Sequence, residues 1–240
     1  MKKKYPYLLI IGLCLYASGS HAFGQARDPA MAYVQKGKTL LSNGNVEAAI
    51  ASYDKAIELN PALAVAYLQR GYARRQQGSL DKAIADYEKA TELDPRTTAN
   101  NWQVAEAFTN RGLRRKDRFN VDAAISDYNQ AIRFYPDALQ AYLERGQARI
   151  LLDDFAGAID DFTHVIEKEK RDQGRRGLAY ADRSLAKLFL GKEEEAKRDF
   201  EEGRRLGIEN KIDTESHLIG LEIQLRRMRE IKAQRNRGVL

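Results

Sequence analysis

Apolar residues follow a helical period along most of the chain. Segments of about a dozen residues carry apolar side chains three and four positions apart, and short polar turns such as "SNGN" and "QQGS" separate them. The segments come in pairs, and no run of alternating Val, Ile and Thr predicts a strand. The pattern therefore predicts an all-α protein built from helical hairpins.

The hairpins repeat, with certain residue types at fixed offsets. A glycine recurs on the first helix, followed by an alanine twelve residues later and an aromatic residue sixteen residues later. Small residues let two helices approach closely, and the aromatic ring fills the space beside them. Because one hairpin cannot bury its own apolar face, successive hairpins are expected to stack. The aligned residues are Gly37, Gly71, Gly112, Gly146 and Ser184; Ala49, Ala83, Ala124, Ala158 and Ala196; and Tyr53, Tyr87, Tyr128, Phe162 and Phe200.

This pattern resembles the tetratricopeptide repeat family from residue 30 to about residue 207. The resemblance implies an all-α, right-handed superhelical solenoid of five helix-turn-helix repeats, followed by a C-terminal capping helix. Phe119 and Asp153 stand where the family has a turn glycine. Two longer stretches, "RTTANNWQV" and "KEKRDQGRRG", are interpreted as helix extensions or longer loops between repeats. The implied boundaries are 30–63, 64–97, 98–138, 139–172 and 177–210 for the repeats and 213–237 for the capping helix.

A second regularity is a basic row and an acidic row of residues. In repeats two to five, an arginine precedes the repeat glycine or its serine equivalent, and an aspartate follows sixteen residues after that arginine; repeat one has Lys36 and Ser52 instead. Because a guanidinium fork can hold a carboxylate with two hydrogen bonds, we predict a half-buried ladder of ion pairs, within or between repeats. The alternative is two solvated rows. The candidate pairs are Arg70 and Asp86, Arg111 and Asp127, Arg145 and Asp161, and Arg183 and Asp199.

The concave side of the implied solenoid is the candidate binding surface. The resemblance implies that one stripe of the first helices faces a groove, which could hold an extended or helical peptide, apolar with some acidic groups. The alternative is that part of the stripe packs against the chain's own ends. The family's Lys and Asn clamp for a terminal carboxylate is absent, which argues against cochaperone activity by that route. The stripe comprises Val34, Lys38, Leu41, Leu68, Tyr72, Arg75, Thr109, Leu113, Lys116, Leu143, Gln147 and Ile150, and in repeat five Ala181, Leu185 and Leu188.

Residues 1–22 have the pattern of a secretory signal peptide. "MKKK" is a basic start, and "YLLIIGLCLYA" is an apolar core that is short for a membrane span. Cleavage is predicted after Ala22 or, alternatively, after Ala26; an uncleaved anchor is the other possibility. Cleavage would remove Cys14, the only cysteine, so the mature chain could form no disulfide. We expect an exported, periplasmic protein, and a mature chain whose mass still includes Met1 would contradict cleavage.

The basic charge is concentrated at the two ends of the chain. The 40 basic and 34 acidic residues give a net charge of +6, of which residues 2–4 and residues 214–240 each contribute +3. The repeats are therefore neutral, which argues against a nucleic-acid partner. The basic C-terminal segment also has an apolar stripe at Leu218, Leu221, Leu225 and Met228. We interpret it as a cap over repeat five; a dimer or anionic-lipid contact is the alternative.

Enzyme chemistry has little support in the sequence. Asp160 and His164 lie one helical turn apart, but no second pair completes a metal site, and His164 is interpreted as a surface histidine. We predict no catalytic residue, metal or cofactor. The predicted function is a non-catalytic protein-interaction scaffold of the bacterial cell envelope with a protein or peptide partner. The alternatives are an accessory or regulatory subunit of an envelope enzyme or secretion complex, and a module that dimerises or contacts lipid through its C-terminal helix.

Overall fold

The computed structural model describes residues 28–209 and 213–236, and those residues form helices, turns and no strand. The signal segment predicted for residues 1–22 lies outside the described residues. Among the helices described, none is both long and apolar enough to cross a membrane. The helices are α1 (Pro29–Ser42), α2 (Val46–Leu59), α3 (Ala64–Gln76), α4 (Leu80–Leu93), α5 (Trp102–Asp117), α6 (Val121–Phe134), α7 (Leu139–Leu151), α8 (Phe155–Lys168), α9 (Gln173–Phe189), α10 (Glu193–Glu209) and α11 (Thr214–Asn236), with a 3-10 turn at Pro95–Thr97.

Helices α1 to α10 form five stacked hairpins. Each odd-numbered helix packs against the helix that follows it, and each hairpin packs against the next one. Neighbouring odd-numbered helices also contact each other, α1 with α3, α5 with α7 and α7 with α9, so they line one side of the stack. The even-numbered helices line the other side. The structure confirms the predicted all-helical solenoid.

In each of the first four hairpins, the two helices approach closely where the glycine of the first helix faces an aromatic ring of the second. A Cβ atom added to Gly112 would lie 2.5 Å from Cε1 of Tyr128, and the rings at this position in the four hairpins are all 0% exposed. Burial also removes the tyrosine hydroxyl from water, which raises the pKa of Tyr53 to about 12. The same close approach joins Gly37 to Tyr53, Gly71 to Tyr87 and Gly146 to Phe162.

The turn inside each hairpin contains a residue with positive φ. Glycine fills this position in repeats one, two and five, where φ is 79°, 82° and 73° at Gly44, Gly78 and Gly191. Phe119 and Asp153 fill it in repeats three and four, with φ of 59° and 63°. The left-handed region favours glycine because a Cβ atom is crowded there, so each of these two residues costs about 1–3 kcal/mol.

The two longer stretches form different structures. The first is a loop that contains the 3-10 turn and ends at Asn101, whose side-chain oxygen accepts hydrogen bonds from the backbone N–H groups of Gln103 and Val104 and so caps α5. In the second stretch, α8 ends at Lys168 and α9 begins at Gln173 and runs for 17 residues, compared with 13 for α7. It is therefore a short loop followed by an extended helix.

Candidate functional site

The predicted stripe on the odd-numbered helices divides into an accessible part and a covered part. Its exposed or half-buried members are Lys38, Leu41, Tyr72, Arg75, Leu113 and Leu188. Its buried members are Val34, Leu68, Thr109, Lys116, Leu143, Gln147, Ile150, Ala181 and Leu185. Most of the accessible residues belong to repeats one to three, whereas repeat four contributes buried residues alone. The candidate surface for a ligand is therefore the N-terminal part of the stripe.

The prediction that the whole stripe faces a ligand is wrong for its most deeply buried members. Val34 is 1% exposed and Ile150 is 0% exposed, and each belongs to a hydrophobic core cluster. Val34 shares its cluster with Ala66 of the next odd-numbered helix, whereas Ile150 shares its cluster with Leu221 of α11. The family position identifies the inner face of a helix, but it does not say which other helix covers that face.

The element that covers the C-terminal part of the stripe is α11, which packs against α7, α9 and α10. Leu221 is 4% exposed in this contact. Farther along α11, the guanidinium of Arg227 lies 4.8 Å from the ring centroid of Phe119, and Nη2 of Arg229 donates to the carboxylate of Asp153 at 2.6 Å. The helix therefore extends beyond repeat five to the turns of repeats three and four. It fills part of the groove in addition to capping the end of the solenoid.

The apolar stripe predicted for the C-terminal helix is described only in part. Leu218 is half-buried against the core that contains Leu221, whereas the side chains of Leu225 and Met228 lie outside the described residues. Because α11 packs on its own solenoid, this contact accounts for the described part of the stripe.

A chain of polar side chains lies beneath α11. Nζ of Lys116 donates to Oε2 of Glu144 at 2.5 Å and to Oε1 of Gln147 at 2.7 Å. Nε2 of Gln147 donates to Asp182 at 2.9 Å, and the other oxygen of that carboxylate lies 2.7 Å from Nε2 of His217. Asp182 is 0% exposed, so its partners replace the water that it loses on burial. Lys116 is therefore engaged inside the protein, and the prediction that it receives an acidic ligand is wrong for this conformation.

The contact with Asp182 also changes the titration of His217, which is half-buried. The hydrogen bond to the carboxylate of Asp182 raises the pKa of His217 above its ordinary value, against a smaller opposing effect of burial; Lys116 and Glu144 are the other charged groups that act on it. A histidine whose pKa is raised on folding stabilises the folded state when it is protonated. This stabilisation is fully present at pH values below the pKa of the unfolded state, about 6.5. The stabilisation is lost as the pH rises through the raised value.

We therefore expect the docking of α11 to weaken as the pH rises through the raised pKa of His217. Chemical denaturation at a series of pH values measures this change, with the intrinsic fluorescence of the chain as the signal. His217→Gln keeps a polar side chain that does not titrate, and it should remove the pH dependence attributable to this site. Equal pH dependence in the two proteins would contradict the assignment.

The predicted basic and acidic rows lie against each other within repeats two to five. Nη2 of Arg111 donates to Oδ1 of Asp127 at 2.7 Å, and Nε of the same guanidinium donates to Oδ2 at 3.0 Å. The aspartates are 1–6% exposed, and the arginine side chains are 15–18% exposed. The contact recurs between Arg70 and Asp86 at 2.7 Å, Arg145 and Asp161 at 2.6 Å, and Arg183 and Asp199 at 2.7 Å.

A second cation reaches each of these aspartates, and the sequence analysis missed it. It lies one helical turn after the first arginine, and the same four-residue spacing was available in the sequence. The first arginine also extends toward the preceding repeat, where Arg70 contacts Asp54 at 2.6 Å and Arg145 contacts Asn129 at 2.7 Å. The ladder thus joins neighbouring repeats. The second contacts are Arg74 to Asp86 at 2.8 Å, Arg115 to Asp127 at 3.0 Å, Arg149 to Asp161 at 2.7 Å, and Lys187 to Asp199 at 2.8 Å.

Two cavities lie along the concave side. One of about 440 Å³ lies at the start of α5 and α7 and includes Trp102, which is 57% exposed. The other, of about 400 Å³, lies beside Lys116 and His217. Gln140 and Arg175 line both cavities, which are therefore adjacent. The sequence analysis missed Trp102 and Arg175 because both lie in the two longer stretches; the position of the only tryptophan in such a stretch was the available signal.

Metal chemistry has no support in the described part of the chain, where no group of His, Cys, Asp and Glu side chains is arranged to hold an ion. The ring of His164 instead stacks on Tyr142 with centroids 4.0 Å apart. His164 is therefore a residue that packs against an aromatic ring.

Comparison with known proteins connects these features to a family. The family model described as "Tetratricopeptide repeat" matches residues 34–96 and 109–172. Tetratricopeptide repeat protein 36 from Mus musculus is 40% identical over 81 residues, and the protein of that name from Homo sapiens is 38% identical over 81 residues. Each match covers 32% of this chain and 41% of the relative, so the chain spans less than half the length of these proteins.

Solved structures show the same fold at low sequence identity. A structure of MamA superimposes with a TM-score of 0.55 at 23% identity, covering 75% of this chain and 92% of MamA. YrrB, described as "a TPR protein with an unusual peptide-binding site", gives 0.56 at 20% identity over 75% of this chain and 88% of YrrB. A tetratricopeptide repeat protein from Parabacteroides merdae gives 0.56 at 22% identity over 87% of this chain and 79% of that protein.

Proposed function

The chain belongs to the tetratricopeptide repeat family, whose members are protein-protein interaction modules, and on this premise we propose a more specific role. The protein is a non-catalytic scaffold of the cell envelope. It holds a segment of a partner protein on the concave side of repeats one to three. The observation that carries this proposal is the row of accessible side chains on α1, α3 and α5, next to the cavity beside Trp102.

Tyr72 is the best positioned of these side chains for recognition. Its hydroxyl accepts a hydrogen bond from Nδ2 of Asn101 at 2.5 Å, and its ring lies 5.7 Å from the ring of Tyr87. These contacts hold the ring in place while the residue remains half-buried. A fixed aromatic side chain loses little conformational entropy on binding, and aromatic residues supply much of the energy of protein interfaces.

The charges on this surface limit what the partner segment presents. Nη1 of Arg75 is paired with Glu106 at 2.6 Å, whereas Lys38 is exposed on α1. The other accessible residues of this surface are Leu41 on α1, Tyr72 on α3 and Leu113 on α5. An apolar segment with an acidic group that reaches Lys38 fits this arrangement.

Two further observations support the proposal. The first 22 residues have the basic start and apolar core of a secretory signal, which supports the envelope location. YrrB, which is described as having a peptide-binding site, superimposes on this chain, and this supports peptide binding by the shared fold. Because Lys116 is engaged by Glu144 and Gln147, we place the acidic group of the ligand near Lys38 instead.

We expect Tyr72→Ala and Lys38→Glu each to reduce the amount of partner captured by the full chain about tenfold, because central aromatic and charged contacts are worth more than about 1.4 kcal/mol. Cross-linked capture from cells that produce the protein, followed by quantitative mass spectrometry, measures the effect. Lys82→Glu is the matched control, since Lys82 is an exposed lysine on α4, on the opposite side of the stack. Equal capture by all variants would place the partner elsewhere.

A further inference from the structure

We propose that the concave side of repeats three to five is a receptor for a basic helix of a partner protein, and that α11 occupies this receptor within the free chain. The inference rests on the proposed function only in that both assign protein binding to the concave side. It concerns a different part of that side, with a different occupant. In this arrangement, a partner helix gains access when it replaces α11.

The strongest observation is the position of the two non-glycine turn residues. Phe119 and Asp153 have φ of 59° and 63°, where glycine is favoured, and the equivalent turns of repeats one and two keep Gly44 and Gly78. Both side chains contact α11: Phe119 lies under Arg227, and Asp153 accepts hydrogen bonds from Arg229. Side chains held at a conformational cost are a common feature of binding sites. In this protein, the two hairpin turns with a strained non-glycine residue are both turns that α11 contacts.

The charges of the receptor and of the helix are complementary. The receptor presents carboxylates at Asp182 and Asp153, and α11 places His217 and Arg229 against them at 2.7 Å and 2.6 Å. The two contacts are twelve residues apart on α11, so they fix both the register and the direction of the helix. A partner helix with cations at this spacing would satisfy the same two carboxylates.

The apolar contact made by the described side chains of α11 is narrow, which suits the helix to exchange. Among the α11 side chains that the structure describes, Leu221 is the buried one, whereas Ile219 and Ile223 are 57% and 60% exposed on the same helix. An apolar crevice of about 330 Å³ between α9, α10 and α11 also remains, lined in part by Leu188 and Phe200. The receptor therefore offers apolar surface beyond that covered by the described side chains of α11.

The test uses the full chain and a fluorescein-labelled peptide with the sequence of residues 213–236. Leu221→Asp places a charge at the buried contact and should release α11 from the receptor. We expect this variant to bind the peptide about tenfold more tightly than the unaltered chain, as measured by fluorescence anisotropy. Ile219→Asp is the matched control, because it introduces the same charge at an exposed position of the same helix, and its affinity should equal that of the unaltered chain.

A second variant keeps the proposal testable if Leu221→Asp does not fold, which circular dichroism would reveal. Cysteines in place of Asp153 and Arg229, with Cys14→Ser, allow a short bismaleimide to hold α11 on the receptor. The cross-linked chain should lose at least about tenfold in peptide affinity compared with the same variant before cross-linking.

Three results would overturn the proposal. They are a folded Leu221→Asp chain that binds the peptide no better than the unaltered chain, cross-linking that leaves peptide affinity unchanged, and light scattering that shows the unaltered chain to be a dimer dispersed by Leu221→Asp. The last result would assign the receptor to a second copy of the chain. Tyr72→Ala and Lys38→Glu should leave peptide binding unchanged, so failure of the proposed function is separable from failure of this inference.

Discussion

Replacement of Asp127 by alanine should lower the free energy of unfolding by about 3–5 kcal/mol, the largest effect that we expect from one substitution. Asp127 is 1% exposed, and its carboxylate neutralises the half-buried guanidinium groups of both Arg111 and Arg115. Removal of the carboxylate leaves two cations beside each other with poor access to water. Like charges then repel at short range, which adds to the cost of the lost hydrogen bonds.

Urea denaturation of four proteins measures this contribution: the unaltered chain, Asp127→Ala, Arg111→Ala and the double variant. We expect a coupling free energy above about 1 kcal/mol, because the pair is forked and half-buried. The exposed pair of Lys55 and Glu58, with a contact of 2.7 Å, is the control and should couple by about 0.3–0.5 kcal/mol. Similar coupling in the two pairs would mean that the ladder behaves as a surface feature.

The ladder shows what could be predicted from the repeated pattern. In a helical hairpin with a short turn, a residue just before the repeat glycine and a residue sixteen positions later lie on facing helices. The spacing alone therefore paired Arg111 with Asp127. The second cation, Arg115, was not predicted because the pattern was interpreted as pairs, although a residue one turn along the same helix has equal access to the carboxylate.

The groove was harder to predict because accessibility is not a local property. The family position of Ile150 implies its direction on α7 but not its burial. Ile150 belongs to a core cluster that also contains Leu221 of α11, a helix that begins more than sixty residues later and carries no repeat pattern. The departures from the family at Phe119 and Asp153 were visible in the sequence. Their partners Arg227 and Arg229 could be identified only from the folded structure.

Replacement of Gly112 by alanine should lower the free energy of unfolding by about 2–3 kcal/mol, in spite of a gain in helix propensity of about 1 kcal/mol. The added Cβ would lie 2.5 Å from Cε1 of Tyr128, a ring that is 0% exposed and cannot move aside without displacing its neighbours. Urea denaturation measures the loss. Gly220→Ala is the control, since a Cβ on that helical residue has no atom within 4 Å, and it should not destabilise the chain.

The steric origin of this loss can be tested with a second substitution at the ring. Tyr128→Leu alone creates space and destabilises the chain, but it also removes the ring carbon that the new methyl group would strike. The double variant should therefore be more stable than the sum of the two single effects predicts, by about 1 kcal/mol or more. Additive effects would mean that Gly112 is needed for backbone conformation, and the fixed glycine of the repeat would then require an explanation other than the approach of the two helices.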